Sequence, residues 1–218
     1  MSRNGKTPRL VISGLYAITP DSTDTADLLR RTRLALAGGA RMLQYRNKAA
    51  DQTLRLKQAA ALRELTREFA VPFIVNDDAQ LAFQVEADGV HLGATDGELK
   101  LARQLLGSNK IIGISCYNCM SLAREAVEAG ADYIAFGAFF PSTVKPAAVT
   151  AEVEILRQAR DELNVPLVAI GGITAQNAPI LIAAGARALA VISAVYNADD
   201  VHASAQIFTN LFIRDTAT

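Results

Sequence analysis

The chain has 218 residues, half of them apolar, with 22 basic and 22 acidic side chains and a formal net charge of zero. That length fits one domain or two, and α/β barrels of roughly 200–250 residues count as one. Balanced charge offers no basic patch for nucleic acid or an anionic membrane, and no apolar run reaches the ~18 residues needed to cross a bilayer.

The first residues are polar and basic and lead only into the short apolar Leu10-Val11-Ile12, too brief for a signal peptide. This predicts a loose tail over 1–9, one barrel domain over 10–218 and a cytoplasmic protein. From there one pattern repeats every 20–30 residues or so: an apolar run, a polar turn, a helical segment. Strands are expected at 15–19, 41–46, 72–76, 89–93, 110–115, 133–140, 166–172 and 188–195. Runs such as Phe73-Ile74-Val75 and Leu167-Val168-Ala169-Ile170 are continuously apolar, as parallel strands buried on both faces are. Helices are expected at 51–69, with Leu54, Ala61, Leu62 and Leu65 inward, at 150–163 with Thr150 as N-cap, and at 175–184 and 199–212. Ala-Gly-Gly at 37–39 and Ala-Gly at 129–130 and 184–185 supply left-handed helix stops. Eight such units without a linker predict a single (β/α)8 barrel; no G-x-G-x-x-G opens the first unit, which disfavours a doubly wound sheet.

In a barrel the chemistry sits on the loops after the strands, so the residues there are the candidates. Arg46 and Lys48, two apart, face one way in an extended segment and can clamp a phosphate or diphosphate, or can form an ordinary solvated loop. Asp77 and Asp96 come from adjacent units and can hold a magnesium ion that keeps waters and takes phosphate oxygens; Asp77 or Asp78 can equally cap the next helix. Gly171-Gly172-Ile173-Thr174 and Ile192-Ser193 fall at the phosphate site common to barrels, though the glycine pair can equally make a simple tight turn. His91 reads as a packed, hydrogen-bonded core residue, and Tyr16 and Tyr45 as either neighbours of an aromatic ligand or filling. Cys116 and Cys119 form a C-x-x-C without further zinc ligands nearby, and read as two thiols at a strand-to-helix turn.

Taken together, L-Y-A-I-T at 15–19, Q-Y-R-N-K at 44–48, V-N-D at 75–77, A-D-G-V-H-L-G at 87–93 with Asp96, I-G-I-S at 112–115, F-F-P-S-T-V-K at 139–145, A-I-G-G-I-T at 169–174 and V-I-S at 191–193 resemble the thiamine phosphate synthase family. The resemblance implies a (β/α)8 barrel that condenses hydroxymethylpyrimidine diphosphate with hydroxyethylthiazole phosphate, using Mg2+ on Asp77 and Asp96. Arg46, Lys48 and Lys145 would be catalytic. Gln44, Tyr45, Arg46, Asn47, Lys48, Asn76, Ser115 and Lys145 would bind the pyrimidine diphosphate; Ser142, Thr143, Val144, Gly172, Ile192 and Ser193 would bind the thiazole phosphate. The partners implied are phosphorylated small molecules, with a homo-oligomer left open.

The chain departs from the family pattern in two places. The family's strand-six loop reads T-x-T-K, whereas Val144 replaces its second hydroxyl here, and 146–149 carries no glycine. A related thiazole tautomerase places a histidine after the strand-six glycine, where this chain has Ala138. A non-catalytic ligand-binding barrel would keep the thiazole phosphate site and make metal irrelevant, and an isomerase or epimerase would need an acid/base pair that the sequence does not display.

Overall fold

The computed structural model describes residues 12–93, 96–141 and 150–214, at 96, 97 and 214 through the backbone alone. The elements alternate: β1 (Gly14–Ile18), α1 (Thr25–Ala37), β2 (Met42–Tyr45), α2 (Gln52–Glu68), β3 (Phe73–Asn76), α3 (Ala79–Gln84), β4 (Gly89–Leu92), α4 (Asp96–Leu106), β5 (Ile111–Tyr117), α5 (Met120–Glu128), β6 (Tyr133–Phe136), α6 (Glu154–Glu162), β7 (Leu167–Ile170), α7 (Ala178–Ala183), β8 (Ala188–Val191), α8 (Ser193–Tyr196) and α9 (Val201–Arg214). All neighbouring strands pair in parallel and β8 closes on β1, giving the eight-stranded barrel expected. Parallel order with a helix after each strand sends every strand's C-terminal end to the same rim.

Alternation along each strand makes two cores. Tyr16, Met42, Ile74, Tyr133, Val168 and Ala190 point into the barrel. Their neighbours Leu15, Leu43, Val75, Ile134, Ala169 and Leu189 point out under the helices. Most strands are thus apolar on both faces over their length, which is why the runs looked unbroken, whereas β4 turns Gly89 and His91 inward. Inside, alanines 135, 188 and 190 leave room for large rings. Gly113 is required by one of them, because a Cβ there would overlap the ring of Tyr133.

The N-terminal end is tied by two similar motifs. Asp88, just before β4, accepts from the Phe73 N–H and from both Arg63 terminal nitrogens; Asp132, just before β6, accepts from the Ile112 N–H and from Arg103. The glycine stops are present: Gly130 and Gly185 stand at positive φ, and after α1 it is Gly39 that does, Gly38 keeping a φ of −74°.

Several expected boundaries are corrected. Strand 133–140 ends at Phe136, and the chain then runs along the rim, Phe139 and Phe140 donating to the carbonyls of Ile170 and Gly171. Strand 188–195 ends at Val191, because Ile192 turns the backbone into α8, so Ser193 opens a helix. The fifth strand runs past Ser115 to Tyr117 through an irregularity in its pairing with β6. Thr150 is not a cap: Ala151 is held by the Ala138 carbonyl, which delays α6 to Glu154 with Val153 before it. On α2 the buried stripe contains Gln58 and Thr66 besides Leu62 and Leu65, while Leu54 and Ala61 are only half-buried.

Candidate active site

A cavity of about 650 Å3 opens at the C-terminal rim, a size suited to a small organic ligand. Its floor is the inward row one step above the inner core. Gln44 follows Met42 by two residues on β2, Asn76 follows Ile74 on β3, and Ser115 follows Gly113 on β5, so period-two alternation aims all three at the cavity they line. His91 and Tyr16 complete this level. Their polar atoms form one chain: Gln44 Nε2 donates to Tyr16 Oη at 2.8 Å, Tyr16 Oη meets Tyr133 Oη at 2.9 Å, and Tyr133 Oη meets His91 Nδ1 at 2.9 Å. His91 Nε2 lies 2.8 Å from Ser115 Oγ. Burial pushes the Tyr16 and Tyr133 phenols well above their ordinary range, so both stay protonated.

Arg46 continues the same alternation beyond β2 and lines the wall. Asp21, in the loop after β1, accepts from its Nη1 at 3.1 Å and from the Lys48 N–H at 2.9 Å. Thr19 exchanges two hydrogen bonds with the Arg46 backbone. Lys48 stands at the rim with its ammonium 3.2 Å from the Asp77 carboxylate. Asp77 adopts a left-handed φ of 59° and donates its N–H to the His91 carbonyl. Asp78 resolves the capping alternative: it caps α3 through the Leu81 N–H and pairs with Arg55 at 3.0 Å.

Tyr45 and Asn47 are not brought to the cavity. They occupy the outward positions of the alternation, beneath α2, where Tyr45 donates to Gln58 Oε1 at 2.9 Å and Asn47 donates to the same oxygen and to the Ser22 carbonyl. Gln58 also donates to Ser22. The two residues brace the loops carrying Asp21 and Arg46 from behind.

Further round the rim the cavity is lined by Gly171, Gly172, Ile192 and Ser193. Gly172 stands at a φ of 61°, and a Cβ there would run into the carbonyls of Phe140 and Pro141, so only glycine fits. Asn177 fixes this turn, accepting from the Thr174 N–H at 2.8 Å and donating to the Gly172 carbonyl at 3.0 Å. Ala138, at the tautomerase histidine position, lines the cavity with a methyl group. Ser142, Thr143, Val144 and Lys145 lie outside the described residues, as does the side chain of Asp96, whose backbone opens α4, the helix that follows β4 in the chain.

Sequence reasoning missed Asp21, Tyr133, Asn177 and Tyr117, the last lining the cavity from the end of β5. Asp21 follows the first strand, where the rim rule pointed; Tyr133 begins a strand, and nothing local tells that its ring crosses the barrel. Cys116 is buried in the outer core with its thiol pushed up to about 12 by burial, and Cys119 precedes α5.

A closed parallel barrel with a polar-floored cavity ringed by cationic, acidic and glycine-rich loops defines an α/β-barrel enzyme of small organic substrates. The profile of the family described as thiamine monophosphate synthase matches residues 15–195, and the chain belongs to that family. The thiamine-phosphate synthase of Methylobacillus flagellatus is 53% identical over 97% of this chain and 100% of its own length. That of Nitrosospira multiformis is 50% identical over 99% and 92%. Among solved structures, the thiamine phosphate pyrophosphorylase from Pyrococcus furiosus superposes with a TM-score of 0.81 at 34% identity, covering 94% of this chain and 97% of that one.

Proposed function

We propose that this rim joins hydroxymethylpyrimidine diphosphate to hydroxyethylthiazole phosphate, releasing pyrophosphate and leaving thiamine phosphate. The activity is that of a thiamine-phosphate synthase, a transferase. The observation that carries the site assignment is that two anion-suited clusters open into one cavity. Arg46 lies on β2's side of β1, and Gly172 with Ser193 lies on the side of β7 and β8.

As the diphosphate leaves, negative charge grows on oxygen and the pyrimidine methylene becomes cationic. A reaction of this kind needs positioned charge rather than a protein nucleophile. Arg46, held by Asp21, and Lys48 meet the diphosphate, joined by Lys145. Gln44, Asn76 and Ser115 orient the pyrimidine from the floor. Backbone groups of Gly172, Ile192 and Ser193, with Ser142, Thr143 and the backbone of Val144, hold the thiazole phosphate. Tyr45 and Asn47 support these loops without touching substrate.

The residues fit a magnesium ion. Asp77 keeps a half-exposed carboxylate at the rim while Asp78 is committed to α3 and Arg55. Among the described residues no three acidic, histidine or cysteine groups cluster as a closed metal cage; magnesium needs only one or two carboxylates, completed by water and phosphate oxygens. Asp77 and Asp96 would hold it, and when bound it would neutralise charge on the departing diphosphate. We further assign the chain to the cytoplasm, acting on phosphorylated small molecules, with 10–218 as the catalytic domain; the tail expected over 1–9 lies outside the described residues. Among the described residues no helix is long and apolar enough to cross a membrane.

The test is the two-substrate reaction with and without chelator. Thiamine phosphate should form only with both substrates and magnesium. Product formation that survives chelation removes the metal assignment, and no product under any condition removes the reading itself.

A further inference from the structure

We propose that Gln44, Tyr16, Tyr133, His91 and Ser115 form a polarised relay that holds His91 as its neutral Nε2-protonated tautomer. The relay turns the Ser115 hydroxyl hydrogen into the cavity, which makes Tyr16, Tyr133 and His91 positioning residues.

The argument is a count of hydrogens. The five side chains come from β2, β1, β6, β4 and β5 and meet in sequence at 2.8, 2.9, 2.9 and 2.8 Å. Each phenol has one hydrogen to give. Gln44 Nε2 donates to Tyr16, so the Tyr16 hydrogen goes to Tyr133. The Tyr133 hydrogen then goes to His91 Nδ1, which must be bare, and the His91 proton sits on Nε2 and points at Ser115 Oγ. Ser115 accepts there and keeps its own hydrogen for the cavity it lines. The opposite arrangement, in which Ser115 spends its hydrogen on His91, needs Gln44 to turn its oxygen to Tyr16, or else leaves the hydrogen of the buried Tyr16 without an acceptor on the chain. An imidazolium needs Gln44 turned in the same way: both ring nitrogens would donate, and with Gln44 donating as it does the Tyr16 hydrogen would find no acceptor along the chain.

The packing keeps the rings in place. Tyr16 and Tyr133 are buried, Tyr133 stacks on His91 with centroids 5.5 Å apart and planes 17° apart, and Tyr16 meets Tyr133 edge-on at 6.1 Å. Gly113 leaves the space that the Tyr133 ring fills. The cavity is therefore offered an acceptor, Gln44 Oε1, and a donor, Ser115 O–H. That pair matches an aminopyrimidine, which gives hydrogens from its amino group and accepts at a ring nitrogen. This identification of the ligand rests on the synthase reading above; the polarity of the relay does not.

The chain has two histidines, so 15N-histidine NMR on the full-length, ligand-free protein resolves them, with His202→Gln to assign His91. A pyrrole-type Nε2 and a pyridine-type Nδ1 are expected; the opposite tautomer, an averaged pair or an imidazolium overturns the proposal. Tyr133→Phe keeps the ring and removes the hydrogen. It should average the His91 tautomers and raise KM for the pyrimidine diphosphate roughly tenfold, the size of one lost orienting hydrogen bond, with KM for the thiazole phosphate unchanged. A wild-type tautomer and KM in that variant also overturn it. Should the variant not fold, the wild-type spectrum decides. Failure of the synthase reaction leaves that spectrum intact, so the two readings fail separately.

Discussion

The Lys48 ammonium stands 3.2 Å from the Asp77 carboxylate at the barrel rim, both side chains about half exposed. An exposed pair of this kind contributes about 0–1 kcal/mol to stability, so losing it should cost the fold little; neither side chain lines the cavity itself. Asp77→Asn keeps the left-handed backbone, which asparagine tolerates well. Unfolding should shift by less than about 1 kcal/mol. Pyrophosphate release should fall about 100-fold, as for loss of a group that stabilises developing charge. Wild-type turnover with saturating magnesium would remove Asp77 from the metal site.

Asp21→Ala probes positioning at a distance. The residue reaches the reaction only through Arg46 and the Lys48 backbone. KM for the pyrimidine diphosphate should rise about tenfold, equivalent to roughly 1.4 kcal/mol, while KM for the thiazole phosphate stays put. Equal rises in both would mean general loosening of the rim.

Tyr45→Phe separates bracing from binding. The hydroxyl touches Gln58 under α2, so its removal should cost about 1 kcal/mol in denaturant unfolding. Steady-state KM values should remain within twofold or so, since the ring, which does the packing, is kept. A large, selective rise in pyrimidine KM would return Tyr45 to the site.

Asp88→Ala tests the opposite end of the barrel. It leaves Arg63 and the Phe73 N–H without their acceptor. The loss should be about 3 kcal/mol, or roughly 10 °C in melting temperature for a chain this long. Below the melting range, kcat of the folded fraction should match wild type, because this end is far from the rim.

The two thiols should react differently. Burial pushes Cys116 up to about 12, which leaves it a protonated thiol at pH 8, whereas the Ser121 hydroxyl beside Cys119 lowers that thiol below its usual value. A lowered value raises the reactive thiolate fraction at a given pH. Iodoacetamide at pH 8 should label Cys119 and spare Cys116 by mass spectrometry, with activity retained, as in Cys119→Ser. Inactivation on labelling Cys119 would revive a role for it.

Much of this was legible before folding. Gln44, Arg46, Asn76, Ser115, Gly172 and Ser193 follow the rule that residues at strand ends face the rim, and all line the cavity. Tyr45 and Asn47 violate the expectation through the same alternation that places Gln44 and Arg46: their neighbours point in, so they point out. The strand limits at Phe136 and Val191 were not readable, because the apolar residues beyond them continue the pattern while the backbone leaves the ladder.

Local order along the chain determined the eight repeating units, and with them the barrel and the end at which its loops gather, because burial on both faces leaves a signature in every strand. Tertiary structure decided which side chains meet across the interior. Tyr16 and Tyr133 lie 117 positions apart yet share a hydrogen bond. Contacts between inward residues on different strands depend on closure, stagger and the space left by small neighbours such as Gly113, and no single segment encodes any of these.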